Sequence, residues 1–283
     1  MFRCTQIDIT SKKTFIIKAN GHKVLFNEKK ILSTCRRAGA NQKAAQRILK
    51  KVRSQIYHEI KTQNIYKLVL RAISEEKDGQ ALRQRYQLKE AIMKLGPNGF
   101  AFENYVGNIL EHYGLHIKGI RSRIKGRCSN HEIDLIAISN KKKFMIECKH
   151  HSTRGGFIGL KVALYTHARF LDTSSKFEGE VIVCNAKVSQ TAKKYAKCIG
   201  QQVFSWRYPP KKSLEKIIED YKLYPITILN LNSHELEKFS ENNIMVAKDL
   251  LKINQKSLAR LTGLSEKRIH NLSKLTEQII DKR

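Results

Sequence analysis

Long hydrophobic runs are missing from the sequence. No uninterrupted apolar stretch exceeds four residues, although apolar residues make up 41% of the 283 positions. A transmembrane helix needs about 20 such residues, so no membrane-spanning segment is predicted. The opening MFRCTQIDITSKKTF also lacks the apolar stretch of a secretory signal. We therefore expect a cytoplasmic protein without a membrane partner.

Cysteine and proline are also scarce. The six cysteines are scattered and form no CxxC motif, which excludes a disulfide scaffold and indicates a reducing compartment. No GxxxxGK[ST] motif is present, so the chain is not a P-loop motor. The four prolines mark the predicted seams of the chain, at Pro97, Pro209, Pro210 and Pro225.

Acidic residues are outnumbered by basic ones. The chain carries 54 Lys and Arg against 25 Asp and Glu, a formal net charge of +29. Such a charge repels itself in a folded protein, and a polyanionic partner is the simplest explanation for it. Residues 1–100 carry 22 basic and 7 acidic side chains, and residues 101–225 carry 22 and 11, which leaves 10 and 7 for residues 226–283. We expect DNA to bind the first two regions.

The hydrophobic pattern predicts a multidomain α/β protein of three domains. Residues 1–95 begin with a short β-hairpin that turns at Asn20-Gly21 and continue as helices, the last of them over 80–94. Residues 96–225 follow the order α-β-β-β-α-β, with one more helix and strand. Residues 226–283 form a small all-α tail.

The strongest candidate for chemistry is HEIDLIAISNKKKFMIECKH, over residues 131–150. If its two strands pair symmetrically about the polar turn, Asp134 lies opposite Glu147, with Cβ atoms about 5 Å apart. Lys149 shares the face of Glu147 because strand side chains alternate. Two adjacent carboxylates between apolar strands repel each other, and burial disfavours their charged forms. A divalent cation, Mg²⁺ or Mn²⁺, would resolve this conflict.

A third carboxylate and two histidines flank this hairpin. Glu103 borders the apolar stripe of the helix pattern FENYVGNILEHYG and is a candidate metal ligand. Lys149 would orient the attacking water or neutralise charge in the transition state. The alternative is a surface strand pair in which Lys149 only neutralises two acids, with Glu103 solvated. His150 and His151 could bind phosphate or move protons, but solvent-exposed positions at the strand end are favoured.

The same residues resemble a known superfamily. The α-β-β-β-α-β order, with FENYVGNIL, HEID and ECK, resembles the PD-(D/E)XK restriction-endonuclease-like proteins, near the Mrr-like branch, over about residues 100–208. HEIDLIA, IECKHH, KVALYTHARFLD and SWRYPP are together similar to one subfamily. The resemblance implies metal-dependent hydrolysis of DNA, with Glu103, Asp134 and Glu147 as metal ligands and Lys149 as the catalytic lysine. Ile133 replaces the usual proline.

The N-terminal segment IIKANGHKVLFNEKKILSTCRRAG resembles the ATP-cone, a nucleotide-sensing domain of ribonucleotide reductases and of a repressor of their genes. The resemblance covers about residues 12–95 and implies ATP or dATP as a regulatory ligand, with nucleotide-dependent homo-oligomers. The residues that it places at the nucleotide are Lys18, Gly21, Asn27, Lys30 and Thr62. Ala19 and Val24 depart from the family pattern, and the alternative is a cone kept for packing or dimerisation.

The tail, NNIMVAKDLLKINQKSLARLTGLSEKRIHNLSKL, resembles a helix-hairpin-helix or SAM-like module with Gly263 at its turn, which would contact DNA or a protein. Together these features favour a nucleotide-regulated, divalent-metal-dependent DNA endonuclease in restriction, defence or DNA processing. A nucleotide-responsive DNA-binding regulator with a non-cleaving nuclease fold is the main alternative, and an assembly scaffold is a third.

Overall fold

The computed structural model describes residues 14–77, 79–96 and 100–281. The chain forms two compact units, which divide between Tyr86 and Gln87. Within the described ranges, no helix is both long enough and apolar enough to cross a membrane. The predicted seam at Pro97 lies outside the described residues, and the division into three domains stays a prediction.

The first unit joins a small sheet to a group of helices. Its elements are β1 Phe15–Ile17, β2 Lys23–Leu25, α1 Glu28–Arg37, α2 Gln42–Arg53, β3 Ile60–Lys61, α3 Thr62–Ser74 and α4 Gly79–Tyr86. Strand β1 is central, antiparallel to β2 and parallel to β3. The predicted hairpin is present, and its Gly21 has a φ of 79°, which favours glycine. The two-residue strand β3 had no signal in the sequence.

The single helix predicted over 80–94 is wrong, because two helices cover this stretch. Helix α4 ends at Tyr86, Gln87 leaves helical geometry with φ −86° and ψ 9°, and α5 covers Leu88–Met93. The two helices serve different cores: Leu82 packs in the core of the first unit, whereas Ile92 is fully buried in the second. The hydrophobic pattern of the sequence is helical on both sides of the boundary between the units, and it therefore does not show where α4 ends.

The second unit is an α/β sheet with a helical C-terminal part. After α5 its elements are α6 Phe100–His112, β4 His116–Lys125, β5 Asn130–Ser139, β6 Lys142–Lys149, β7 Phe157–Ile158, α7 Leu160–Asp172, β8 Gly179–Cys184, β9 Lys187–Val188, α8 Gln190–Ile199, β10 Gln202–Phe204 and α9 Leu214–Asp220. The main sheet has the strand order β10-β8-β6-β5-β4. The two-residue strands β7 and β9 pair separately and were not predicted.

The central hairpin has the symmetric register that the sequence predicted. Strands β5 and β6 pair from Ser139↔Lys142 to Leu135↔Ile146. Its turn residues, Asn140 and Lys141, both have positive φ, at 50° and 64°, as a tight two-residue hairpin turn requires. On its other side, β6 pairs in parallel with β8. The α/β fold class is confirmed.

The C-terminal residues are helical, as expected, and they pack within the second unit. The elements are two 3-10 helices, Ile226–Leu229 and Ala247–Lys252, and helices α10 Ser233–Glu241, α11 Gln255–Thr262 and α12 Glu266–Ile280. They are hydrogen-bonded to α6: Asn104 donates to the Ser240 hydroxyl at 3.3 Å, and Asn108 accepts from the Met245 amide at 3.1 Å. Phe239 and Met245 are fully buried.

Deletion of residues 226–283 should therefore unfold the second unit instead of leaving its α/β sheet intact. Asn108→Ala, which leaves the buried Met245 amide without its acceptor, should lower the free energy of unfolding by about 1–3 kcal/mol. Urea denaturation followed by circular dichroism measures both effects. The exposed Lys274→Ala on α12 is the control and should change little. A deletion variant that unfolds cooperatively at the wild-type urea concentration would contradict this packing.

Candidate active site

The site is built where the β5–β6 ladder ends. Leu135↔Ile146 is the last pair of the ladder, and the next residues of the two strands are Asp134 and Glu147. The Asp134 carboxylate accepts a hydrogen bond of 2.7 Å from the Cys148 backbone amide. The Cys148 amide is thus satisfied by a side chain, and this hydrogen bond holds Asp134 beside Glu147.

Glu147 is an almost fully buried carboxylate held by two cations. Its side chain is 2% exposed. The Lys149 ammonium contacts Oε1, and the Arg169 guanidinium on α7 contacts Oε2 at 2.5 Å. A buried carboxylate is costly unless it is paired, and Glu147 has two cationic partners inside the sheet.

Burial is the main cause of a raised pKa at both Asp134 and Glu103. Burial, reinforced by the neighbouring Glu147, raises the pKa of Asp134 to about 6. Burial, reinforced by Asp134, raises the pKa of Glu103 on α6 to about 7, although Arg121 lies 3.5 Å away. The cluster of Glu103, Asp134, Glu147 and Lys149, here called the carboxylate cluster, therefore holds more acid than its own lysine neutralises.

This imbalance fits a hard divalent cation. The cluster offers only carboxylate oxygens, which Mg²⁺ and Mn²⁺ prefer, and two of the carboxyl groups have raised pKa values that a nearby cation would lower. Among the described residues, no three His, Cys, Asp or Glu side chains gather closely enough to hold a metal ion. Both Glu147 oxygens are taken by Lys149 and Arg169, so a cation would have to compete with a side chain for them.

The two histidines after β6 are tied to other strands and helices. His150 donates from Nε2 to the Ile92 carbonyl on α5 at 3.0 Å, and its ring packs against Phe102. Burial lowers its pKa. The expected solvent position is therefore wrong for His150, because α5 covers this strand end. The His151 amide donates to the buried Asn185 side chain at 2.8 Å.

Helix α5 makes further contacts at the same strand ends. The Lys89 ammonium donates to the Asn185 carbonyl and lies 4.5 Å from the centre of the Trp206 ring. The Ala91 carbonyl accepts from Thr227 at 2.6 Å. Two neighbouring carbonyls of α5 thus accept hydrogen bonds from different regions. The Ile92 carbonyl accepts from His150, which follows Lys149, and the Ala91 carbonyl accepts from Thr227 in the C-terminal region.

The predicted nucleotide-binding residues lie at two ends of the small sheet in the first unit. Lys18 and Gly21 are in the hairpin turn, and Thr62 begins α3 after β3, which runs parallel to β1. Asn27 and Lys30 lie at the start of α1, beyond the opposite end of β1. The Asn27 side chain makes no capping hydrogen bond. A strand of three residues is about 10 Å long, so a ligand that touches both groups must span it.

Two arginines near the carboxylate cluster were missed by the sequence analysis. Arg169 lies on α7 within the quoted motif KVALYTHARFLD, and Arg121 lies on β4 with a φ of 47°. Neither position has a periodicity or spacing that distinguishes it from other basic residues. The sequence distinguishes Arg169 in one way, because it falls within a segment that resembles the family.

Three family models match successive parts of the chain. Residues 14–91 match the family model of the ATP cone domain, residues 96–204 that of a restriction endonuclease of the Mrr catalytic type, and residues 224–280 the model described as AF1548-like, C-terminal. An uncharacterized protein of Archaeoglobus fulgidus is 34% identical over 176 residues, 62% of this chain and 99% of its own.

Two solved structures are also similar. The structure of "Protein of Unknown Function AF1548" has 34% identity and a TM-score of 0.59, and the match covers 64% of this chain and 97% of the other. The "DNA modification-dependent restriction endonuclease AspBHI" matches 55% of this chain and 38% of its own, with 15% identity and a TM-score of 0.35.

The raised pKa of Asp134 predicts a stability that falls as pH rises. The native state holds this proton up to about pH 6, whereas the unfolded chain releases it near pH 3.8, so the native state binds more protons between these values. Asp134→Asn should therefore stabilise the metal-free protein by about 1–2 kcal/mol more at pH 8 than at pH 4. Urea denaturation with a chelator present measures the difference.

The matched control for this experiment is Asp220→Asn. Asp220 is exposed and pairs with Lys216 on the same helix, away from the cluster. Its substitution should have nearly the same effect at both pH values. An equal effect of Asp134→Asn at pH 4 and pH 8 would show that Asp134 is not desolvated as the geometry requires.

Proposed function

Since the chain belongs to the family of the AF1548 protein and carries ATP-cone and restriction-endonuclease domains, we propose that it is a nucleotide-regulated, divalent-metal-dependent DNA endonuclease. The observation that carries this proposal is the carboxylate cluster, in which Asp134 and Glu147 stand side by side at the end of a hairpin with Lys149 in contact. Restriction, defence or DNA processing would use such an activity.

Each residue of the cluster has a role in this proposal. Asp134 and Glu147 would hold the cation, Mg²⁺ or Mn²⁺, with carboxylate oxygens, and Glu103 would join them through a side-chain movement, because the three carboxylates do not lie closely enough together here to hold it. When bound, the cation would polarise the scissile phosphate and lower the pKa of the attacking water. Lys149, whose side chain is 39% exposed, can reach substrate and would stabilise negative charge as it develops on the phosphate.

DNA is the proposed substrate because of the charge of the chain. The net charge of +29 resides mainly in residues 1–225, which include the ATP-cone and nuclease regions. Phosphate contacts of Lys and Arg release counterions, so binding should weaken steeply with salt. A homo-oligomer, which would place two clusters on one DNA, belongs to the same proposal.

A second function is favoured by one specific observation. Both Glu147 oxygens already contact side-chain cations, an arrangement that a DNA-binding regulator without cleavage activity would also have. In that protein the cluster would be a closed set of ion pairs, and nucleotide would alter only DNA affinity. Cleavage assays separate the two proposals.

A nucleotide site in the first unit has its own structural support. Gly21 adopts positive φ, and a Cβ added there would meet no atom within 4 Å, which leaves room for close approach to the hairpin backbone. Helices α1 and α3 begin without side-chain caps, and uncapped helix N-termini favour phosphate oxygens. Lys18, Asn27, Lys30 and Thr62 would complete an ATP or dATP site.

Helix α5 supports a coupling between nucleotide and cleavage. It follows directly on Gln87, where the units divide, and the ATP-cone family model extends to residue 91, within α5. Its Ile92 carbonyl holds His150, the residue after Lys149. A change transmitted from the sensor to α5 would therefore reach the strand that carries Glu147 and Lys149.

Asp134→Asn and Glu147→Gln should lower the rate of plasmid cleavage with Mg²⁺ or Mn²⁺ by at least about 100-fold, because each removes a charged metal ligand. DNA affinity should stay equal or rise, since less negative charge faces the phosphates. Supercoiled plasmid, with and without ATP, is the substrate, and a chelator should abolish cleavage. The control Asp220→Asn should cleave normally. Full cleavage by either cluster variant would contradict the assignment of this site.

ATP or dATP should bind the full chain and change cleavage or DNA affinity by about 5–150-fold, the usual range of allosteric coupling. Calorimetry with ATP, dATP and ADP measures binding, and sedimentation measures assembly. Lys18→Ala should lose binding because a phosphate contact is removed, whereas the exposed Lys67→Ala on α3 should retain it.

The transmission route is tested with His150→Leu, which removes the bond to Ile92. This variant should bind ATP with unchanged affinity while its cleavage loses the response to ATP. A wild-type protein that shows no heat with any of the nucleotides and no change in sedimentation would mean that the first unit is not a nucleotide sensor. A normal ATP response in His150→Leu would exclude only the route through α5.

A further inference from the structure

Arg169 is the least expected member of the site. It belongs to α7, a different element from those that carry the carboxylates, and its guanidinium NH1 donates to Glu147 at 2.5 Å and to the Glu132 carbonyl at 3.1 Å. Its side chain is only 10% exposed. The guanidinium carbon lies 4.7 Å from the centre of the Tyr165 ring, which covers it on one side.

The contact has the character of a temporary counter-ion. A guanidinium stays charged at every accessible pH, so it can neutralise a buried carboxylate permanently. However, the Arg169 Nε is buried and makes no hydrogen bond within the described part of the chain. An arginine kept only for structure would be expected to have its donors satisfied. The guanidinium therefore binds Glu147, the Glu132 carbonyl and the Tyr165 side chain, whereas its Nε is unsatisfied.

Geometry makes Arg169 a competitor of any cation that Glu147 would bind. Lys149 contacts Oε1 and Arg169 contacts Oε2, so Arg169 controls one of the two oxygens. The guanidinium takes one of the two lone-pair directions of Oε2, so a divalent cation on the same oxygen would lie within a few ångströms of it. Two positive charges a few ångströms apart also repel each other strongly in a partly buried site.

We propose that Arg169 is a positioning residue that holds the Glu147 carboxylate in the metal-free protein and sets the cation concentration at which the carboxylate cluster loads. This inference rests on the proposed metal dependence of the site. It adds a threshold in cation concentration. Below this concentration Arg169 stays on Oε2 of Glu147, and above it the cation displaces the guanidinium. Tyr165, which is 58% exposed, would receive the displaced guanidinium against its ring.

The test is calorimetric titration of the full-length protein with Mn²⁺ alone, without DNA. In Arg169→Gln no charged group competes for Oε2, so the dissociation constant for Mn²⁺ should fall by about tenfold or more. In Arg169→Lys the charge remains and the constant should stay within about threefold of wild type. Arg207→Gln, which breaks the ion pair with Glu215 elsewhere in the unit, is the matched control and should leave Mn²⁺ affinity unchanged.

Thermal unfolding of the same variants separates competition from simple stabilisation. Arg169→Gln should melt at a lower temperature than wild type without metal and gain more from added Mn²⁺. An unchanged or weaker Mn²⁺ affinity in a folded Arg169→Gln would overturn the proposal, since a purely structural arginine would give that result. If Arg169→Gln does not fold, Arg169→Met, which keeps the volume and removes the charge, is titrated instead, and unchanged Mn²⁺ affinity in folded Arg169→Met overturns the proposal equally.

The outcome is distinguishable from failure of the proposed function. Tighter Mn²⁺ binding in Arg169→Gln with no DNA cleavage by any form would support the role of Arg169 and exclude the endonuclease. Normal metal-dependent cleavage by wild type, with equal Mn²⁺ affinity in wild type and Arg169→Gln, would support the endonuclease and exclude the role of Arg169. Absence of Mn²⁺ binding in both wild type and Arg169→Gln would overturn both.

Discussion

The need to neutralise the Glu147 carboxylate governs the architecture of the second unit. Glu147 lies on β6, the middle strand of the five-stranded sheet, between β5 and β8. An ionised group at such a position is tolerated only when it is paired with opposite charge. The two cations come from different elements, Lys149 from the same strand and Arg169 from α7. One buried charge therefore ties the sheet to the helix that follows it.

Further hydrogen-bonded polar residues lie at the same end of the sheet. Strands β6 and β8 run parallel, and both end where His150, His151 and Asn185 follow them. Asn185 is fully buried and exchanges hydrogen bonds with the His151 backbone at 2.8 and 2.9 Å. In open α/β sheets the carboxyl ends of strands form the usual binding crevice, because the connecting segments diverge there. Helix α5 occupies part of this crevice.

The C-terminal region has a structural role that its sequence did not suggest. Its hydrogen bonds run to α6, through Asn104, Asn108 and the His112–Asp249 pair at 3.1 Å. Helix α6 also carries Glu103, the outermost acid of the carboxylate cluster. The position of that acid is therefore fixed by the sheet and by the C-terminal helices together. A small net charge in residues 226–283 agrees with such a supporting role.

The sequence by itself determined what depends on local pattern. Strand alternation and a symmetric turn predicted the β5–β6 register, and hence the neighbouring Asp134 and Glu147, because both features are encoded within about 15 residues. The Asn20-Gly21 hairpin and the α/β order were predicted for the same reason. Tertiary structure alone decided the rest. It brought Arg169 onto Glu147 across 22 positions, buried His150 under α5 across 58 positions, and ended a helix at Tyr86, where the chain passes from one unit to the next. These contacts join residues far apart in the chain, and no periodicity in the sequence records which distant side chain will meet a buried charge.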